Sequence, residues 1–252
     1  MSDPILFSVE RGLARITLNR PERLNAFDEA LAHAWARVTE EAVSRDDVGA
    51  VLVDAAGPAF CAGGDVRAMA ELGSGAAITE LAGVINRGIL ALTGSTVPVA
   101  VAAHGTTAGG GLGILLSGDY AVIGEGSRVG SLYASMGLTP DLSVSAQLAR
   151  AVGERRALQL VLQPRMLSAA EAVEWGLAAE AVPDAEVGAR AEAVARSWLD
   201  GATAAYGQAK RLVRDAAHRP IAEQLAQEAR SIGAAFDTPA AQALIAGFAA
   251  RS

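Results

Sequence analysis

The sequence predicts an α/β fold with a helical C-terminal region, on three observations. In the first half, short apolar runs at 50–54, 98–105 and 119–124 alternate with helical periodicities. That pattern points to parallel strands joined by right-handed helical crossovers. Beyond about Leu142 almost only helical periodicity is visible. Finally, 51% of the 252 residues are hydrophobic, ample material for a core.

The elements follow in order. Alternating runs at 5–9 and 13–19, separated by Glu10-Arg11-Gly12, predict an opening hairpin. Asp28 is a suitable N-cap for a helix over 29–44, which gathers Leu31, Trp35, Val38 and Ala42 on one face. Residues 50–54 form a buried strand, 78–93 a helix, 98–105 a strand, 110–117 a helix and 119–124 a third strand. Helices are expected over 143–150 and 154–162. A capping box from Ser168 to Glu171 opens another, which Gly176 closes. Further helices are expected at 185–198, 202–217, 220–235 and 239–249, the last begun by Thr238-Pro239. Trp35, Trp175 and Trp198 belong to the core or to an interface. No repeat of 20–50 residues is present.

Composition excludes several functions. With 21 basic and 28 acidic residues the formal net charge is −7, which opposes non-specific nucleic-acid binding. One cysteine, Cys61, cannot make a disulfide framework or a cysteine-rich metal site. His33, His104 and His218 lie far apart, so no metal centre is expected. The N-terminus lacks a basic start followed by an apolar run. The most apolar stretch, 97–116, contains His104, two Thr and five Gly. It reads as a strand, a glycine loop and a helix, not as a membrane span. A soluble, cytoplasmic protein is expected.

Glycine concentrates in "FCAGGD" (60–65) and "HGTTAGGGLG" (104–113). No lysine follows in phosphate-loop spacing, and G-x-G-x-x-G is absent in the required form. Two readings remain open. The glycines serve tight turns and close packing, or they expose main-chain N–H groups that together grip one oxygen.

"NRPERLNAF", "PAFCAGGDVRAM", "PVAVAAHGTTAGGGLGILLSGDY", "MGLTPD" and "LSAAEAVEWGLAAEAVP" occur in this order. Together they resemble the crotonase superfamily, the enoyl-CoA hydratase/isomerase family, from about Leu13 to Phe248. The resemblance implies a crotonase-like spiral of ββα repeats over 1–190 and a helical trimerisation region over 191–252. It implies acyl-CoA thioester substrates and a homotrimer or hexamer. No separate cofactor is implied, because coenzyme A is part of the substrate. Nor does it imply a nucleic-acid or membrane partner.

Carried over by motif, Gly64 and Gly110 would supply the two oxyanion amides. Arg23, Leu24, Asn25 and Ala26, with Ala62, Gly64, Asp65 and Val66, would line the coenzyme A pocket. Asp65 is expected to be a loop or helix cap. Cys61 should be a small buried hydrophobe, and His104 a structural hydrogen-bonding residue.

The chain departs from the hydratase pattern at two positions. Where the family's hydratases carry two glutamates, this chain has Gly113 and Tyr133. A tyrosine of ordinary pKa, about 10, is a poor base at neutral pH. One carboxylate remains nearby, Asp141 in "GLTPD". It is either the base of an isomerase-type proton transfer, only the cap of the helix that follows, or both. Tyr133 is expected to wall the acyl pocket. Isomerisation is therefore preferred to hydration. The alternatives are a hydratase of low activity and a non-catalytic acyl-CoA-binding protein.

Overall fold

The computed structural model describes residues 3–251. Strand β1 (Ile5–Glu10) pairs antiparallel with β2 (Leu13–Leu18). Arg11 and Gly12 both take left-handed backbone, φ 48° and 81°, as a tight hairpin turn requires. Helix α1 (Glu29–Ser44) starts where Asp28 Oδ1 accepts the Leu31 N–H at 2.9 Å. There follow β3 (Ala50–Ala55), α2 (Val66–Leu72), α3 (Gly75–Gly94), β4 (Val99–Ala103), β5 (Thr106–Ala108), α4 (Gly110–Ser117), β6 (Tyr120–Gly124) and β7 (Arg128–Gly130). Then come α5 (Val144–Val152), α6 (Glu154–Leu162), β8 (Met166–Ser168), α7 (Ala169–Trp175) and β9 (Glu180–Val182). Four helices close the chain: α8 (Val187–Asp200), α9 (Thr203–Ala216), α10 (Ile221–Phe236) and α11 (Pro239–Ala249).

The larger sheet runs β1-β2-β3-β4-β6-β9 and is parallel from β2 onward. A smaller sheet, β5-β7-β8, lies beside it. The chain passes from the larger sheet to the smaller twice, β4 to β5 and β6 to β7, and returns twice, β5 to β6 and β8 to β9; α4 follows the first passage. This is the expected ββα spiral. The central strands read as unbroken apolar runs because both faces are buried. Val51, Val53, Val101 and Ile123 face Phe27, Trp35 and Leu112. Leu52, Ala100 and Val122 face α8 through Val187, Ala191 and Ala195.

Some expectations need correction. The second half is not purely helical, since β8 and β9 lie within it. The expected 98–105 strand ends at Ala103, and Gly105 turns the chain into β5 with φ 60°. A Cβ on Gly105 would stand 2.1 Å from the Pro58 carbonyl oxygen. Three-residue strands are too short to show a period of two, so β5, β7, β8 and β9 left no trace in the sequence pattern. Short helix α2, whose residues are not buried, was also missed.

Helix α3 is the segment nearest to membrane-span character, not 97–116. It is 20 residues long with mean hydropathy 1.3 over its best window. One face, Ile85, Gly88, Ile89 and Leu92, is buried, and α1 packs along it. Trp35 Nε1 donates to the Ile85 carbonyl at 3.2 Å. A Cβ on Gly88 would lie 2.3 Å from that nitrogen, so only glycine permits this approach.

Candidate active site

The site forms where the two glycine loops meet. The first loop leaves β3 and bonds to the edge of the second sheet. Cys61 N–H donates to the Thr106 carbonyl at 3.1 Å, and Ala108 N–H to the Cys61 carbonyl at 3.0 Å. Phe27 N–H donates to Gly63 O, and Asp65 N–H to Phe27 O. This ladder steps over the Gly64 amide. The second loop runs from β5 into α4. Gly110 is the first residue of α4, so its N–H has no acceptor in the preceding turn. Among the described residues neither the Gly64 nor the Gly110 N–H meets an acceptor within the chain. The loops touch: a Cβ on Gly63 would lie 3.0 Å from Ala108 O and 3.3 Å from Gly110 N.

A cavity of about 570 Å³ opens beside both amides. Ala62, Gly64, Val66, Gly110, Tyr133 and Asp141 line it, together with Met69, Ile78, Leu81, Ile85 and Asn86 from α2 and α3. Among the described residues, Tyr133 and Asp141 are its only titratable lining side chains. A larger cavity of about 770 Å³ lies against α9. Its charged groups include Asp119, Lys210 and Arg214, which pair with one another at 2.9 and 2.8 Å. Lys210 also donates to the Leu92 and Val97 carbonyls at 2.7 Å. These groups pin α9 to the core, so the smaller cavity is the one with unengaged chemistry.

Tyr133 O–H donates to Asp141 Oδ1 at 2.5 Å. Burial raises the Asp141 carboxyl above its ordinary value, although the tyrosine bond pulls the other way. Tyr133 is pushed up, first by burial and then by the neighbouring carboxylate. The expectation that Asp141 caps the next helix is corrected. The N-cap of α5 is Ser143, with no side-chain capping bond. Asp141 contributes only its backbone carbonyl, to Val144 N–H at 2.9 Å. Leu142 and Ser143 both have left-handed backbone, φ 47° and 65°. They carry the chain from Asp141 into α5, and the Asp141 carboxyl lines the cavity.

Gly113, the first vacant hydratase position, is closed by the same turn. A Cβ there would stand 2.2 Å from the Leu142 carbonyl oxygen. No side chain fits without moving backbone.

The remaining expected residues divide. Asp65 is the N-cap of α2, accepting from Arg67 N–H at 3.1 Å, and, contrary to expectation, does not line the cavity. Arg23 and Leu24 are exposed and Ala26 is buried; none of the three lines the cavity. Leu24 braces its first loop, its carbonyl accepting from Ala62 N–H at 3.0 Å. Asn25 is fully buried and donates to Ala56 and Ala59 carbonyls at 2.9 and 2.8 Å. Cys61 is buried, and that burial pushes its thiol up to about 12. His104 Nε2 sits 2.7 Å from the Gly57 carbonyl oxygen.

Sequence reading missed Arg20, which pairs with Asp28 at 2.8 Å and Asp65 at 3.3 Å and so ties α1 to the first loop. It also missed Leu142 and the cavity wall from α2 and α3. The α3 periodicity located that helix but could not say that part of it faces a cavity.

The profile of the enoyl-CoA hydratase/isomerase family matches residues 8–251. The chain belongs to that family. It is therefore a crotonase-superfamily acyl-CoA enzyme, as the motifs implied. A Rhodobacter capsulatus protein named "Probable enoyl-CoA hydratase" is 32% identical over 91% of this chain and 88% of its own. The 1,2-epoxyphenylacetyl-CoA isomerase of Escherichia coli is 32% identical over 89% of this chain and 87% of its own. A family structure from Mycobacterium abscessus superposes with TM-score 0.94 at 30% identity, covering 98% and 97% of the two chains. Relatives thus carry both hydratase and isomerase names, and the choice between them rests on the site.

Proposed function

We propose that this enzyme moves the double bond of a 3-enoyl-CoA to the 2 position, with Asp141 as the base. The observation that carries the reading is that Asp141 is the only carboxylate among the described cavity residues, in a cavity shared with the Gly64 and Gly110 amides. The two N–H groups donate to the thioester oxygen, each stabilising the enolate by roughly 3 kcal/mol. Ionised Asp141 removes a proton from C2, and the negative charge spreads over the oxygen and the conjugated carbons. The same carboxylic acid then returns the proton to C4. One proton moves along one face, so neither water nor a second base is needed. Coenzyme A enters and leaves as part of the thioester.

The closure of Gly113 supports this reading over hydration, because it bars one of the two hydratase carboxylates. The test is a panel of 3-enoyl and 2-enoyl thioesters, with Asp141→Asn beside wild type. Isomerisation of the 3-enoyl substrate should exceed hydration of crotonyl-CoA. Asp141→Asn should slow it about 10²- to 10⁴-fold. Rapid hydration without isomerisation would overturn the assignment. Binding of acyl-CoA without either reaction would leave a non-catalytic binding protein.

The same proposal extends to assembly. Ile221, Leu225, Ile232, Phe236, Leu244 and Ile245 on α10 and α11 are exposed. An apolar surface of this kind favours association, which supports the homotrimer or hexamer. Sedimentation should show no monomer of 26 kDa at micromolar concentration.

A further inference from the structure

We propose that Tyr133 is a positioning residue: its hydroxyl holds one oxygen of Asp141 so that the other faces the substrate. The inference rests on Asp141 being the base, and it goes beyond the pocket-wall role expected from the sequence.

Three observations carry it. First, Tyr133 O–H donates to Asp141 Oδ1 at 2.5 Å, which leaves Oδ2 unengaged by any side chain among the described residues. Second, Tyr133 is itself held. It lies in a 3-10 turn, Leu132–Met136, its carbonyl accepts from Leu138 N–H at 3.0 Å, and its ring is about 4.0 Å from where a Gly109 Cβ would stand. Third, Asp141 has a competing position three residues before the start of α5, whose N-cap, Ser143, makes no side-chain capping bond and instead accepts from Gln147 Nε2 at 2.6 Å. A carboxylate released by Tyr133 could turn toward those helix amides and away from C2.

The electrostatic surroundings are simple. No lysine, arginine or histidine lines the cavity among the described residues. Tyr133 is the titratable group that meets Asp141 directly, and the nearest other titratable influence on Tyr133 is the buried, neutral Cys61 thiol of the first glycine loop. Because burial and the carboxylate both push the phenol up, it stays protonated and remains a donor throughout the working range. It therefore acts by orienting Asp141 and by favouring its ionised form.

Tyr133→Phe tests this, because it keeps the ring and removes only the donor. Turnover of trans-3-hexenoyl-CoA should fall by up to about 100-fold in kcat, with KM little changed. The acid limb of the kcat/KM profile should move to higher pH, since an unassisted carboxylate protonates more readily. A wall residue would instead raise KM and leave that limb in place, which would overturn the inference. Carbon NMR titration of the Asp141 carboxyl in both proteins reads the same shift without relying on turnover. No difference between the two titrations would likewise overturn it. Asp141→Asn separates the two failures. If that variant is as active as wild type, the base assignment falls. If it is inactive and Tyr133→Phe shifts nothing, only the role of Tyr133 falls.

Discussion

The two sides of the acyl cavity are built differently. On one side the chemistry belongs to the backbone: the amides of Gly64 and Gly110, in loops held by main-chain bonds to Phe27, Thr106 and Gly130. Cβ atoms on Gly63 and Gly111 would press on neighbouring backbone, at 3.0 Å from Ala108 O and 2.2 Å from Cys61 O. On the other side the chemistry belongs to side chains. Tyr133 and Asp141 sit on an irregular, largely exposed segment that ends in the left-handed pair Leu142 and Ser143. Under the proposed mechanism the first side would polarise any thioester, and its glycines leave little room for substitution. The second would decide what happens to the enolate, and it can change by single residues. Such a division would let one fold carry relatives of both hydratase and isomerase name.

The largest test of this contrast is Gly110→Pro. Proline is tolerated at the first position of a helix, but its Cβ would stand 2.7 Å from Leu142 Cδ1, which must swing aside, so circular dichroism first checks that the variant folds. The missing N–H should cost about 10²- to 10³-fold in kcat. A folded variant with wild-type turnover would show that this side does not act through that amide.

Gly113→Glu is next. It restores a hydratase carboxylate by sequence but places Cβ 2.2 Å from Leu142 O. It should lose about 1–3 kcal/mol of stability in denaturant unfolding and gain no hydration of crotonyl-CoA. A stable variant that hydrates would mean the Leu142 turn is adaptable.

The smallest effect is on stability at Asp141. Its carboxyl is raised in the folded protein by burial. A carboxyl raised in this way favours folding at low pH, below its unfolded value. That contribution is lost as pH rises through the folded value. At neutral pH the ionised form is therefore a burden, and Asp141→Asn should melt at the same temperature or slightly higher. A marked drop in Tm would mean that the charge supports the fold.

Much of the architecture was legible in the sequence. The hairpin and the late helices follow from periods of 2 and 3.6, the Asp28 cap from a residue that acts within a few positions, and the three central parallel strands from short unbroken apolar runs. The glycine loops were legible as loops, and their order carried the family. The Asp65 cap was legible because a cap acts within a few residues, whereas the partner of His104, the Gly57 carbonyl 47 positions earlier, was not. Asp141 was not decidable, because Pro-Asp before an apolar run serves cap and site equally.

What the sequence determined by itself, then, was the set of elements and the family, since both reside in short-range patterns. Only the tertiary structure decided the site. It closed Gly113 with a carbonyl 29 positions later in the chain. It turned Asp141 from the helix start to the cavity, and it brought Tyr133 to that carboxylate. These contacts join segments that no local period relates. They depend on where backbone atoms from separate elements come to rest, a quantity no local period encodes.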